Sequence, residues 1–253
     1  MGKIISVHSF RGGTGKSNMT ANVATCLALT GQRVGIVDTD IQSPGIHVIF
    51  NLDETRITRA LNDYLWGKCE VEETAYDMTP PEVRAAGGTM FLIPSSINAG
   101  EIAKILREGY DVERLTDGFQ NLVERLRLDY LVIDTHPGLN EETLLSMAIS
   151  NVLILILRPD HQDFQGTAVT VEIAKRLKVP HLLMVVNKVL SSLDFAALTR
   201  QIEDTYHAPV AAMFPLTEKM LELASSGVFC LRYPEEPFTR TVRNLARRVA
   251  ESA

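Results

Sequence analysis

The sequence predicts an α/β fold: a mostly parallel, twisted sheet flanked by helices on both faces. Short apolar runs alternate with longer amphipathic ones along the chain. The short runs are apolar at every position, as strands buried between two helical layers must be. A glycine-rich loop joins the first run to the first amphipathic segment, the kind of strand-to-helix junction where open α/β sheets place their ligands.

Taken in order, Lys3–His8 (KIISVH) reads as a buried strand and Lys16–Thr30 as a helix, with Val23, Ala24, Leu27 and Ala28 on one face and Gly31 as its stop. Arg33–Val37 is a second strand that ends at Asp38-Thr39-Asp40. Arg56–Trp66 looks helical, and the segment 77–88, with Pro80, Pro81, Gly87 and Gly88, reads as a loop. Met90–Ile93 is a strand, followed by helices over Glu101–Arg107 and Val112–Leu126. Tyr130–Ile133, Val152–Leu157 and His181–Val186 are apolar runs of strand length, and Glu141–Ile149, Gln162–Leu177 and Leu193–Tyr206 are helical patterns near or between them. Val210–Phe214 is the last strand, and a helix over Phe238–Val249 closes the chain. No low-complexity linker, repeat or shift in composition interrupts residues 1–253, so a single domain is expected.

With 45% hydrophobic residues, the 253-residue chain can bury a sizeable core. Its 25 basic and 31 acidic residues give a net charge of −6, which argues against a globally basic nucleic-acid binder while leaving room for a local patch. The longest strongly apolar run, Val152–Leu157, is far shorter than the ~20 residues of a membrane span. The start, MGKIISVHSF, lacks the pattern of a secretory leader, so a cytoplasmic protein is expected. Cys26, Cys69 and Cys230 are scattered and form no C-x-x-C pair; they read as buried free thiols in a reducing compartment.

The stretch Ser9–Asn18 (SFRGGTGKSN) departs from the ordinary phosphate-loop pattern G-x-x-x-x-G-K-[ST]: Gly15, Lys16 and Ser17 fit its end, but Phe10 stands where the first glycine belongs and Arg11 follows it. Gly12, Gly13 and Gly15 let backbone amides turn inward around anionic oxygens, and the following helix N-terminus adds its positive end. Lys16 is placed to reach the β- and γ-phosphates and Ser17 to ligate Mg²⁺. Asp38 and Asp40 lie two apart at a strand end and share a face; one would hold the metal's water shell or Lys16, the other would orient an attacking water. A structural turn is the alternative for such a pair. In LVIDTHPG, Leu131–Gly138, Asp134 ends an apolar strand as a second metal-side carboxylate, and His136-Pro137-Gly138 supplies a turn able to sense the γ-phosphate. His136 reads as a hydrogen-bonded structural group rather than a base. In VVNKV, Val185–Val189, the Asn187 amide suits an adenine edge, with a turn-forming asparagine as the alternative.

As a set these residues resemble the deviant Walker A P-loop ATPases, the MinD/ParA family. The family loop K-G-G-x-G-K-[ST] is matched by Arg11-Gly12-Gly13-Thr14-Gly15-Lys16-Ser17, the D-x-D element by Asp38-Thr39-Asp40, and apolar-D-[TS]-x-P-[GS] by IDTHPG. LIPSS, the LRPD segment, VNKV and FPLTEKMLELASSG, which contains Pro215 and looks like the family's loop near adenine, extend the likeness over residues 3–230. The resemblance implies a homodimer with ATP and Mg²⁺ at its interface. Gly12, Gly13, Thr14, Gly15, Lys16, Ser17, Asn18, Asn187 and Pro215 would bind nucleotide, and Ser17, Asp38 and Asp134 would serve the metal. Lys16, Asp40 and Arg11 would be catalytic. In the family the first basic residue is a signature lysine that reaches across the dimer. Arginine is a departure; it would grip two phosphate oxygens in trans, or hold ATP without efficient hydrolysis.

The resemblance implies an ATP-dependent switch that positions or partitions a cellular cargo, or places the division site, through an adaptor or activator protein. A P-loop enzyme of small-molecule ligation and a weakly hydrolysing regulatory scaffold are the alternatives. The family's iron–sulfur members need paired cysteines at the dimer axis, which this sequence does not offer. The last helix has an apolar stripe, Phe238, Val242, Leu245 and Val249, beside Arg240, Arg243, Arg247 and Arg248. Packing on the core is the first reading; nonspecific contact with nucleoid DNA comes second and a membrane surface last. Glu141, Glu142 and the segment Arg158–Asp163 are candidate dimer or adaptor contacts, with Arg158 placed to supplement Arg11.

Overall fold

The computed structural model describes residues 2–252. Eight strands, β1 (Lys3–His8), β2 (Arg33–Asp38), β3 (Tyr76–Asp77), β4 (Thr89–Ile93), β5 (Tyr130–Asp134), β6 (Val152–Leu157), β7 (His181–Val189) and β8 (Val210–Pro215), form one sheet in the order β3-β4-β2-β5-β1-β6-β7-β8. All neighbours pair in parallel except the two-residue edge strand β3, which runs antiparallel to β4. The order reverses beside β1, so the carboxyl ends of β1, β2 and β5 open onto a crevice.

Along the chain the helices are α1 (Lys16–Ala28), α2 (Ile46–Ile49), α3 (Leu61–Leu65), α4 (Pro81–Ala85), α5 (Ala99–Glu108), α6 (Val112–Arg125), α7 (Glu141–Ile149), α8 (His161–Arg176), α9 (Phe195–Tyr206), α10 (Glu218–Leu223), α11 (Phe229–Arg232) and α12 (Pro237–Ser252). Strand periodicity explains why the strands are apolar throughout. In β6, Val152, Ile154 and Ile156 join the core under α1 and α12, whereas Leu155 and Leu157 join the core under α8 and α9 and Leu153 packs with Met147 and Ala174. A further core on the second face gathers Leu115, Phe119 and Leu122 of α6 with Leu131 and Ile133 of β5.

The span expected to be one helix, Arg56–Trp66, is broken. Residues Glu54–Arg56 form a single 3₁₀ turn, Ala60 is extended, and only Leu61–Leu65 is α-helical. Tertiary partners take the amides that a continuous helix would use: Thr58 N and Arg59 N donate to Tyr76 Oη (2.8 and 2.9 Å), and Leu61 N donates to the Pro94 carbonyl (2.9 Å). Conversely, the segment 77–88 is not all loop. Pro81 opens the short α4, where its missing N–H costs nothing, and Val83 is fully buried beneath it.

The apolar stripe of α12 faces inward: Phe238, Val242, Leu245 and Val249 are buried against α1 and β8. Arg248 donates to the carbonyls of Val210 and Ala211 (3.3 and 3.0 Å) and Arg240 to that of Glu235 (2.9 Å), which leaves Arg243 and Arg247 as exposed side chains of the polar face. Among the described residues, no helix is long and apolar enough to cross a membrane. Truncation of the fully buried Leu245 to Ala is expected to cost about 2–4 kcal/mol. Guanidinium denaturation checks this; a value near zero would mean that the stripe does not pack as described.

Candidate functional site

The loop between β1 and α1 is shaped from two sides. Gly13 (φ 74°) and Gly15 (φ 95°) occupy left-handed conformations. At Gly15 space is also short: a Cβ there would lie 2.6 Å from Asn187 Nδ2. That Nδ2 donates to the Thr14 carbonyl (2.7 Å), and Lys188 Nζ donates to the Gly13 carbonyl (2.7 Å), so the end of β7 holds the loop from below. Asn187 Oδ1 accepts from the Lys188 amide (2.9 Å); reading a base edge with Nδ2 would require it to release Thr14. The first turn of α1 has no side-chain cap, which leaves its amides available to an anion. Lys16 at its start is buried to 8% exposure, and the hydroxyl of Thr14 and Oδ1 of Asn18 are buried without a partner.

The missing glycine at position 10 has a packing cause. The Phe10 ring occupies the space where a Cβ on Gly166 of α8 would sit, 1.9 Å from Phe10 Cδ1. Phe10 thereby anchors the loop's start on α8. Arg11 turns the same way: its guanidinium donates to Gln162 Oε1 and lies 3.9 Å from Asp163 Oδ1. Asp163 is a buried carboxylate shared with Arg158, which donates from its backbone N and its Nε (3.0 Å each). Arg158 also pairs with Asp160 at 3.2 Å, so it serves the α8 N-terminus rather than the loop. Here Arg11 lies against its own chain and its side chain keeps 40% of its surface.

Asp38 and Asp134 stand abreast as register partners at the ends of β2 and β5, and both are buried. Burial pushes the Asp134 carboxyl up to about 6, opposed by the Lys16 charge and by hydrogen bonds from Ser17 and Thr20; Thr20 Oγ1 donates at 3.0 Å. Burial and then the Asp134 charge push Asp38 well above the usual carboxylate range. Asp38 accepts from the amides of Asp40 (3.0 Å), Gly45 (3.1 Å) and Ile46 (3.5 Å), so it also fastens the loop after β2. The carboxylate of Asp40, raised by burial against the charges of His136 and Lys16, lies 3.8 Å from His136 Nε2. His136 Nδ1 donates to the Pro137 carbonyl (2.6 Å), which fixes the ring. Thus Lys16, Ser17, Asp38, Asp40 and Asp134 converge. Arg11 borders them from the α8 side, and Pro215, Asn18 and Asn187 line a separate apolar cavity of about 240 Å³ with Met19, Met220 and Phe238.

Sequence reasoning missed several residues here. His8, fully buried, hydrogen-bonds Thr135 Oγ1 through Nδ1 (2.7 Å) and is held neutral, its pKa lowered to about 3 by burial, then by Lys16 and His136. Thr39 donates to the Asp134 carbonyl from both N (2.9 Å) and Oγ1 (3.0 Å). Lys188, Gln162 and Gly166 act on the loop from distant segments. Only the place of Lys188 at the end of β7, and of Gln162 and Gly166 in the helix that follows β6, marked them.

The family model for ParA, described as NUBPL iron-transfer P-loop NTPase, matches residues 1–250. This chain belongs to the MinD/ParA family of P-loop NTPases. It is 26% identical to an uncharacterized ATP-binding protein of Methanocaldococcus jannaschii over 97% of this chain and 86% of that protein. It is 24% identical to the septum site-determining protein MinD of Bacillus subtilis over 98% of this chain and 89% of the other. An iron-sulfur cluster carrier protein of Pyrococcus furiosus is 26% identical over 72% of this chain and 60% of its own length. Among solved structures, the cell division ATPase MinD of Pyrococcus furiosus superposes with a TM-score of 0.84 over all of both chains at 23% identity. MinD of Pyrococcus horikoshii, complexed with Mg-ADP, superposes with a TM-score of 0.83 over 100% of this chain and 99% of that one at 22% identity. At these identities the structures establish the fold.

Two outcomes are expected from the geometry. Gly166→Ala should destabilise the protein by about 1–3 kcal/mol, since its Cβ meets the Phe10 ring, and Phe10→Ala in the same chain should restore most of the loss; a double-mutant cycle by denaturation reads the coupling. Asp134 has a folded pKa above its unfolded one, raised from 3.8 to about 6, so its contribution to stability is full below about pH 4 and is lost as pH rises through 6. Asp134→Asn in the nucleotide-free protein should therefore be more stable than the parent at pH 8, by at most about 3 kcal/mol. Its melting curve should also flatten between pH 4 and 7.

Proposed function

We propose that this protein is an ATP-dependent dimerising switch whose hydrolysis is slow and stimulated by a partner. The observation that carries the reading is the convergence of three buried or half-buried carboxylates, Asp38, Asp40 and Asp134, on Lys16 at an uncapped helix N-terminus. Two buried carboxylates abreast fit a cation, and the lysine with the free amides fits a polyanion beside it. ATP is placed with its phosphates along Gly12–Ser17 and its base in the apolar cavity lined by Asn187 and Pro215. Mg²⁺, when bound, neutralises phosphate charge; Ser17 and Asp134 would hold it, with Asp38 behind them because loop amides already engage its oxygens. Asp40, held beside His136, orients the attacking water and takes its proton as the γ-phosphoryl transfers.

Arg11 is the residue that would complete a second protomer's site. Its side chain keeps 40% of its surface at the loop's entrance; of its present partners, Gln162 is exposed and Asp163 is buried and already paired with Arg158, so closure of a dimer would exchange a weak cis contact for a phosphate in trans. Its planar fork suits that role as the family's signature lysine does. The cargo reading is positioning or partitioning through an adaptor in the cytoplasm. Iron–sulfur carriage, named for several relatives, would need cysteines presented in pairs at a dimer axis; here Cys26 and Cys230 are core residues and Cys69 stands apart from them in sequence. Arg243 and Arg247 support at most a weak, salt-sensitive contact with DNA phosphates, and the packed α12 stripe removes the apolar face that a membrane surface would need.

A ligation enzyme is the competing reading, and one feature bears on it. A second cavity of about 240 Å³ opens beside His136, lined by Thr39, Gln42, Tyr110, Asn140, Glu141 and Glu142. Its two glutamates would repel the carboxylate substrates that ATP-dependent ligases activate, so it favours the switch.

Light scattering with Mg·ATP and with ADP tests the proposal. The wild type should be dimeric in ATP and monomeric in ADP. Lys16→Ala should weaken nucleotide binding by roughly 30–100-fold. Asp40→Ala should stay dimeric in ATP while turnover falls at least ~100-fold, and Arg11→Ala should lose dimer and turnover together. Parent-like turnover in Asp40→Ala, or no ATP binding by the wild type, would overturn the reading.

A further inference from the structure

One face of α1 carries Asn18, Asn22 and Cys26, each four residues from the last. Asn18 lines the apolar cavity, with its Oδ1 unpartnered. Asn22 Nδ2 donates to the Asn18 carbonyl (2.7 Å), and Asn22 Oδ1 accepts from the backbone amide of Cys230 at 2.8 Å. The Cys230 thiol donates to the Asn22 carbonyl at 4.0 Å, and the side chain of Cys26, one helical turn further along α1, neighbours it. The fold thus joins two cysteines that are far apart in sequence. Arg243, exposed on α12, adds positive charge to both.

We propose that Cys26 and Cys230 are a peroxide-sensitive pair whose disulfide staples α11 to α1 and slows nucleotide release. The disulfide stands on the side-chain cluster alone; its effect on release rests on the function proposed above. The segment that covers the apolar cavity, Pro215 to Ser225, continues into α11, and Phe238 beyond α11 lines the same cavity. A covalent bond at Cys230 therefore fixes this segment against the helix that begins at Lys16.

The chemistry balances with hydrogen peroxide as oxidant. The neighbouring Cys230 thiol, then the charge of Arg243, lower the pKa of Cys26 against the effect of burial, so Cys26 is the sulfur that attacks as thiolate. Its sulfur attacks one peroxide oxygen and the O–O bond breaks. The departing hydroxide takes a proton and leaves as water, and Cys26 becomes a sulfenic acid. The sulfur of Cys230 then attacks that of Cys26; the S–S bond forms, the S–O bond breaks, and the proton of Cys230 leaves with the second water. Two thiols and one peroxide give one disulfide and two waters. Cys26 keeps 4% of its surface and Cys230 2%, so a small uncharged oxidant suits the site better than a bulky disulfide.

The test uses the full chain carrying Cys69→Ser, treated with hydrogen peroxide, denatured and alkylated. Intact mass should fall by two hydrogens, and peptide mapping should join the peptides of Cys26 and Cys230. The melting midpoint should rise by about 5–10 °C and return with dithiothreitol. Release of a fluorescent ATP analogue should slow severalfold. Adding Cys26→Ser, or Cys230→Ala where that variant folds better, should abolish all three changes. Two alkylated thiols after peroxide, or sulfinic acid without a cross-link, would overturn the disulfide. Unchanged release from cross-linked protein would overturn its coupling to the cavity. Failure of the analogue to bind before oxidation would instead remove the nucleotide reading and leave the cross-link to be judged by mass.

Discussion

Asp38 and Asp134 end two adjacent parallel strands, and the sheet's register sets them side by side out of water. Two buried like charges are costly, and both carboxyls respond by holding protons more tightly. What makes the arrangement tolerable is donated from around it: Lys16 from the start of α1, hydroxyls of Ser17 and Thr20 from its first turns, and amides of Asp40, Gly45 and Ile46 from the loop after β2. The start of α1 and the loop after β2 both supply donors to this pair. Completing it with a cation and a polyanion would lower its cost, which is the physical basis of the nucleotide-binding reading proposed above.

The phosphate loop is held by segments that have no sequence proximity to it. β7 supplies Asn187 and Lys188 beneath Thr14 and Gly13, and α8 supplies Gly166, Gln162 and Asp163 beside Phe10 and Arg11. Both elements belong to the half of the sheet beyond the reversal of strand order, so the loop spans the two halves. Arg11 meets that half through a guanidinium that keeps 40% of its side-chain surface, whereas Gly15 meets it through an approach to Asn187 too close for a Cβ.

The apolar cavity has the opposite character. Its floor is α1 and its cover is the chain after β8, a short helix with irregular flanks, where Ala224 and Ser225 have positive φ. Rigidity there comes from α11, through Cys230 and Asn22, and from the aromatic group of Phe214, Phe229 and Phe238, whose centroids lie 4.7 and 4.8 Å apart. The same α12 stripe that sequence alone left open among core, DNA and membrane is thereby committed to the core.

Alternation of strand and helix, the α/β class, the glycine loop and its family resemblance were legible because each depends on neighbours within a few residues: periodicity, a turn requiring positive φ, an aspartate at a strand's end. The convergence of Asp38, Asp40 and Asp134 on Lys16 was foreseeable in outline, since all follow strands of one parallel sheet. The use of Phe10 was not, because its partner is the absence of a side chain at Gly166. The break in the helix expected at Arg56–Trp66 was hidden for a similar reason: Tyr76 and Pro94 take up its backbone groups. Nor did spacing reveal that Cys230 docks beside Asn22, one turn from Cys26, or that Arg11 rests on α8. Local sequence sets which hydrogen-bonding and apolar groups a segment owns, and the tertiary structure decides which distant groups satisfy them, because every buried polar group must find a partner wherever the fold provides one.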